Sequence, residues 1–202
     1  QLGLTVSEIN IEGIDVSHHS SSHAVASIVR FSNQGAEKQA YKLYNIPKEF
    51  SGNDAGSLSH VLERRLQRRD ENPLPDLLLV DGGKPQLNAA LKVFSAVDFK
   101  PPIILSIVKG SNRIRATETI LSEHGIIEFP SKSAGFVLLQ QVRDESHRFA
   151  ITSNRKKKNQ AVKYSILDSV SGLGPSKKSK LLNHFKSLQR MKSSSLQEMC
   201  MV

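Results

Sequence analysis

Four consecutive apolar residues, Leu77-Leu78-Leu79-Val80, stand between Pro75-Asp76 and Asp81-Gly82-Gly83. The run is too short for a helix and lacks the polar alternation of a half-exposed strand. It reads as a strand covered on both faces, which requires a sheet with helices packed on it. Pro85 suits the first turn of a following helix, and Leu87, Leu91 and Phe94 give that helix an apolar face. Ile103 to Val108 repeats the buried-strand pattern.

Upstream, Ile9 to Val16 and Val25 to Phe31 are rich in apolar and β-branched residues, and a His- and Ser-rich turn separates them. Tyr41 to Ile46 forms a third strand after the Asn33-Gln34-Gly35 turn, giving an antiparallel meander. Asn53 or Asp54 caps a helix carrying Leu58, Val61, Leu62 and Leu66, which Asn72-Pro73-Leu74-Pro75 stops. Arg64-Arg65 and Arg68-Arg69 on this helix are expected to face solvent. Thr119-Ile120-Leu121 and Ile126-Ile127 form a hairpin around His124-Gly125. Ser131 or Ser133 caps a long helix through Val137, Leu138, Val142 and Phe149. The chain is therefore α/β, with a mixed five-stranded sheet flanked by helices.

At 202 residues it suits one ordinary domain and a small one. The domain is expected over 1–152, followed by a basic linker over 153–163 and a small all-α unit over 164–202. The linker is read from Asn154-Arg155-Lys156-Lys157-Lys158-Asn159-Gln160. Net charge is +9, and it is unevenly placed: residues 151–202 hold 11 Lys and Arg against 2 Asp and Glu, while the rest is balanced. A polyanion is the natural partner for such a segment, the alternative being a solvated basic tail. A lone cysteine, Cys200, excludes an intrachain disulfide and fits a reducing, cytoplasmic setting. No apolar stretch is long enough to span a bilayer, so no membrane partner is expected. With neither an initiator Met nor a signal pattern, the chain reads as an internal piece of a longer protein.

Asp15 and Asp81 each end an apolar strand. A carboxylate there is costly unless paired, hydrogen-bonded or on a metal. On neighbouring strands the two can share a divalent cation, as in nucleases that activate water. Taken singly, Asp81 is equally a turn residue of Asp-Gly-Gly. His147, in Arg143-Asp144-Glu145-Ser146-His147-Arg148, shares a helix face with Asp144 and is either a ligand and proton carrier or an exposed imidazole. Gly82-Gly83-Lys84 opens a helix and places Lys84 to touch a phosphate, but the spacing of a nucleotide-binding loop is missing. His18, His19 and His23 lack the spacing of a structural metal site. Near the end, Gly172-Leu173-Gly174-Pro175 precedes Lys177, Lys178 and Lys180, which reads as a helix-hairpin-helix contacting phosphates or as a Gly-capped connection.

In order, Ile14-Asp15-Val16-Ser17-His18, Leu77 to Gly83 with Lys84 and Gln86, Arg143 to Ala150, and Gly172 to Pro175 resemble the C-terminal half of the UvrC family, the incision subunit of bacterial nucleotide-excision repair. The resemblance covers almost the whole chain. It implies a ribonuclease H-like endonuclease domain followed by a helix-hairpin-helix unit, cutting damaged double-stranded DNA on the 5′ side of a lesion. It implies Asp15, Asp81 and His147 as catalytic and metal-holding residues, with Asp54 as a further catalytic or auxiliary acid. The implied cofactor is Mg²⁺, with Mn²⁺ substituting. No small-molecule substrate is implied. The implied DNA contacts are Lys84, Lys109, Arg113, Arg143, Arg148, Arg155, Lys156, Lys157, Gly172, Gly174, Lys177 and Lys178. The implied partner is the UvrB helicase subunit, whose docking segment is expected to lie outside this chain, and a second hairpin is expected to follow Val202. Three positions depart from the family: Pro85 replaces a Gly, the loop after His18 is Ser-rich, and Ile114 follows Arg113. They leave a second functional reading, a catalytically weakened DNA-binding or scaffolding module of the same fold.

Overall fold

A computed structural model describes residues 9–17, 24–50, 52–109, 118–130 and 132–202, with residues 109 and 156–165 described through their backbone alone. The chain divides into two compact units, Gln1–Thr152 and Ser153–Val202.

The first unit is built on one sheet: β1 (Ile11–Ser17), β2 (Val25–Ser32), β3 (Gly35–Ala36), β4 (Lys42–Asn45), β5 (Leu77–Asp81), β6 (Ile103–Lys109), β7 (Glu118–Ser122) and β8 (Gly125–Ile127). The order is β3-β2-β1-β5-β6-β7-β8, with β4 also paired to β2. β1, β2 and β4 are the expected antiparallel meander, and β5 runs parallel to both β1 and β6. Among the described residues the sheet has eight strands rather than the expected five. β3 adds a two-residue edge, and the expected hairpin, as β7 and β8, joins the sheet antiparallel to β6. Pairing with β7 gives partners to a β6 edge that would otherwise expose unpaired backbone groups.

Three helices cover the sheet: α1 (Asp54–Leu66), α2 (Lys84–Ser95) and α3 (Ala134–Asp168). Asn53 caps α1 by accepting from the Gly56 N–H at 2.9 Å. Pro85 lies in the first turn of α2, as expected. Ile14, Leu78, Val80 and Ile104 pack against Leu58, Val61, Leu62, Leu87 and Phe94 of α1 and α2. Ile11, Leu77, Leu79, Leu105 and Ile107 pack on the other face against Phe136, Leu139 and Val142 of α3. The unbroken run Leu77–Val80 thus splits by alternation between two apolar layers. Arg65, expected in solvent, is buried on the stripe that Leu58, Val61 and Leu62 define.

The segment expected as a basic linker, 153–163, has a helical backbone continuous with α3. Arg, Lys and Gln are good helix formers, and neither Gly nor Pro occurs between Gly135 and Gly172. The second unit also contains α4 (Pro175–Phe185), α5 (Leu188–Ser193) and α6 (Leu196–Cys200). Its own core gathers Leu167, Phe185 and Met191 with Leu173, Leu181 and Leu182. Among the described residues no helix is long and apolar enough to cross a membrane.

One contact sets the distance from sheet to α3. A Cβ built on Gly13 would lie 2.5 Å from Val142 Cγ1 and 3.3 Å from the Val142 carbonyl oxygen. Val142 is β-branched and fully buried, so it has little room to yield. Gly13→Ala is expected to cost about 1–3 kcal/mol, as overpacking does, in urea denaturation.

Candidate active site

β1 and β5 run parallel with Ile14 opposite Val80, so Asp15 and Asp81 follow side by side at the carboxyl ends of these two central strands. Both alternate onto the face that α3 covers. The close approach of α3 at Gly13 then brings His147, little more than a turn beyond Val142, over the pair. One oxygen of each carboxylate and one ring nitrogen of His147 all lie within 4.8 Å of one another. His147 Nδ1 is 3.6 Å from Asp15 Oδ2. Asp15 is buried, whereas half of the His147 side chain is exposed, so the cluster is closed on the sheet side and open to solvent on the other.

Two carboxylates at this separation repel, and a cation between them relieves the repulsion. Two carboxylate oxygens with one imidazole nitrogen suit a divalent metal ion. The donor set therefore fits a divalent cofactor of the kind that the resemblance implied. The Ser17 hydroxyl, itself buried, donates to Asp15 Oδ2 at 2.7 Å. Beyond Asp81, the Gly83 N–H donates to Gln86 Oε1 at 3.0 Å, which closes the turn into α2.

The remaining expected residues sort by placement. Asp54 is exposed at the start of α1 and is not one of the three clustered side chains. Lys84 is exposed at the start of α2, three residues after Asp81. Arg148 is exposed and forks onto Glu145, at 2.6 and 2.7 Å, and the Tyr41 hydroxyl donates to the same carboxylate at 3.0 Å. The Arg148 bonds hold the Glu145 carboxyl below its ordinary range, while burial, and then Glu145, push the Tyr41 phenol up. Arg143, expected at DNA, is 8% exposed and pairs with Glu118 of β7 and with Asp144. Lys178, also expected at DNA, is buried and pairs with Asp168.

Arg155 and Lys177 are exposed. Gly172 has φ +80°, which its turn reserves for glycine, whereas Gly174 has φ −72° and caps α4 in open space. Arg113 and the His18, His19 and His23 cluster lie outside the described residues, as do the side chains of Lys109, Lys156 and Lys157.

The strand order, with an acid at the end of each of two adjacent central strands, defines a ribonuclease H-like domain. Residues 1–151 match the UvrC RNase H endonuclease domain, and the chain belongs to that family. The UvrABC system protein C of Alcanivorax borkumensis is 41% identical over 197 residues, which are 95% of this chain and 32% of that protein. That of Hahella chejuensis is 37% identical over 201 residues, 98% of this chain and 33% of that protein. The chain thus spans about a third of the length of these curated relatives. Among solved structures, the catalytic domain of human endonuclease V matches 60% of this chain and 61% of that chain, with TM-score 0.41 and 18% identity.

Proposed function

We propose that this chain makes the 5′ incision of nucleotide-excision repair, hydrolysing one phosphodiester of the damaged strand with a divalent cation held by Asp15, Asp81 and His147. The observation that carries it is the convergence of one ligand atom from each of these three residues within 4.8 Å, at the carboxyl ends of the two central strands. Mg²⁺ is the ion we assign, with Mn²⁺ able to replace it. When bound, it supplies positive charge for the phosphate oxygens and lowers the pKa of a coordinated water. Asp15 and Asp81 hold and orient the site, and His147, half open to solvent, either completes the ligand set or carries a proton. Lys84 and the first N–H groups of α2 draw in a backbone phosphate beside the acids. Asp54 is assigned an auxiliary role from its place at the start of α1. The substrate is damaged duplex DNA in the cytoplasm, and the partner is the UvrB helicase subunit.

The test is a nicking assay on a lesion-containing duplex together with the other repair subunits. Nicking at the 5′ side with Mg²⁺, and none in EDTA, is the expected result. Binding without nicking under both conditions favours the weakened-module reading.

The second unit is proposed as a helix-hairpin-helix contact to DNA, with Arg155, Lys156, Lys157, Gly172, Gly174 and Lys177 as its phosphate-facing residues. Each phosphate contact adds roughly 0.9 to the slope of log K against log salt. Lys177→Gln and Lys180→Gln are each expected to lower that slope by up to about 0.9. Lys178→Gln is expected to leave the slope alone, because Asp168 already holds that ammonium. Binding isotherms at three salt concentrations decide; wild-type slopes for all three variants count against the unit as a DNA contact.

A further inference from the structure

We propose that three buried serines, Ser17, Ser27 and Ser106, position the three side chains of the centre, one serine to each. This rests on the reading of Asp15, Asp81 and His147 as metal ligands. A hydroxyl in an apolar layer is costly unless bonded, and Ser27 and Ser106 are fully buried. Each of the three has its bond at a ligand or at the residue beside one. Ser17 donates directly to Asp15 Oδ2 at 2.7 Å, which fixes the rotation of the carboxylate.

Ser27 stands on β2 directly opposite Asp15, and its hydroxyl donates to the Ser146 carbonyl at 2.9 Å. Ser146 immediately precedes His147 on α3. The strand neighbour of one ligand therefore fastens the helix at another, and sets their separation across two elements. Ser106 stands on β6 opposite Val80, and its hydroxyl donates to the Gly82 carbonyl. The Gly82 N–H also donates to the Ile107 carbonyl, at 3.3 Å. Gly82 is thus tied to β6 through both backbone groups, which fixes how Asp81 leaves β5. Removing partners that orient metal ligands typically weakens metal binding about 10–100-fold.

Ser57 supplies the control. It is as buried as Ser27, and its hydroxyl bonds the Phe50 carbonyl at 3.2 Å near the start of α1, with no link to a ligand. The experiment titrates Mn²⁺ into the full chain without DNA, by calorimetry and by electron paramagnetic resonance. Folding of every variant is checked by circular dichroism. Ser17→Ala, Ser27→Ala and Ser106→Ala are each expected to weaken Mn²⁺ binding about tenfold or more, while Ser57→Ala lowers stability without changing affinity. Ser17→Thr keeps the hydroxyl and is expected to recover most of the affinity. Should a strand-centre variant fail to fold, the Ser17 pair, at the end of β1, still decides. Wild-type affinity in the serine variants overturns the positioning role and leaves the metal reading intact, as does an equal loss in Ser57→Ala. If the wild type binds no Mn²⁺ at millimolar concentration, the metal reading itself fails.

Discussion

Asp15→Asn is expected to lower nicking by at least about 10³-fold, a barrier increase of about 4 kcal/mol, while the protein stays folded and grows no less stable. The second half of that outcome is the more diagnostic. Asp15 is 6% exposed and its carboxylate lies within 4.8 Å of that of Asp81. In metal-free protein the two negative charges repel, and the isosteric amide removes one of them. Asn can still accept from the Ser17 hydroxyl. A relief of about 1 kcal/mol raises the melting temperature by roughly 2–4 °C for a chain of this size. An Asp serving only the fold behaves in the opposite way, because its loss leaves buried donors without a partner. The measurement is a pair of melts in EDTA and in Mg²⁺. Asp15→Asn should melt at or above wild type in EDTA, and should gain nothing from Mg²⁺, where the wild type gains. A variant that nicks normally, or that melts well below wild type in EDTA, removes Asp15 from the catalytic centre.

Asp15 and Asp81 were legible because an acid closing an apolar strand has few inexpensive explanations. Their adjacency followed only if the first strand paired with the Leu77–Asp81 strand, as β1 and β5 do in the Ile14–Val80 register. His147 was legible as a candidate, but its approach depends on Gly13, whose only signal is the absence of a side chain. The three serines left no local trace. Ser27 and Ser106 matter through cross-strand register and through contacts 119 and 24 residues away in sequence. Ser is also too common in strands and turns to stand out.

Charge shaped four of the expectations, for related reasons. Arg143 and Lys178 sit in motifs that invite a phosphate, yet Glu118 and Asp168 reach them first. A basic run was read as a linker, although its residues favour helix. Arg65 shows the remedy. Its spacing from Leu58, Val61 and Leu62 already placed it on the buried stripe, and periodicity outweighs the habit of assigning arginine to solvent. The hairpin was visible in the sequence, but its attachment to β6 was not, since strand edges do not declare their partners.

That buried arginine carries the largest expected effect on stability. Arg65 is 5% exposed and Glu12 4%. The guanidinium forks onto the carboxylate at 3.0 and 2.8 Å, and donates to the Asn72 and Pro73 carbonyls at 2.9 and 2.8 Å. The pair therefore ties α1 to β1 and holds the chain segment that leads into β5. Taking both charges from water is expensive, so the pair is worth little against an apolar replacement, but breaking it strands one charge in the interior. Glu12→Gln and Arg65→Met are each expected to cost about 3–5 kcal/mol, a fall in melting temperature of roughly 6–20 °C. The double variant Glu12→Met with Arg65→Met is expected to recover much of the loss, because no charge is left unpaired, although the Asn72 and Pro73 carbonyls lose their donors. Glu12 alternates onto the α1 face of β1, away from Asp15 three residues later. At a temperature where all variants are folded, Mn²⁺ affinity should match wild type. Thermal melts of the three variants and a Mn²⁺ titration check both halves. A double variant no more stable than Glu12→Gln means that the carbonyl contacts of Arg65, not the ion pair, hold this end of the sheet.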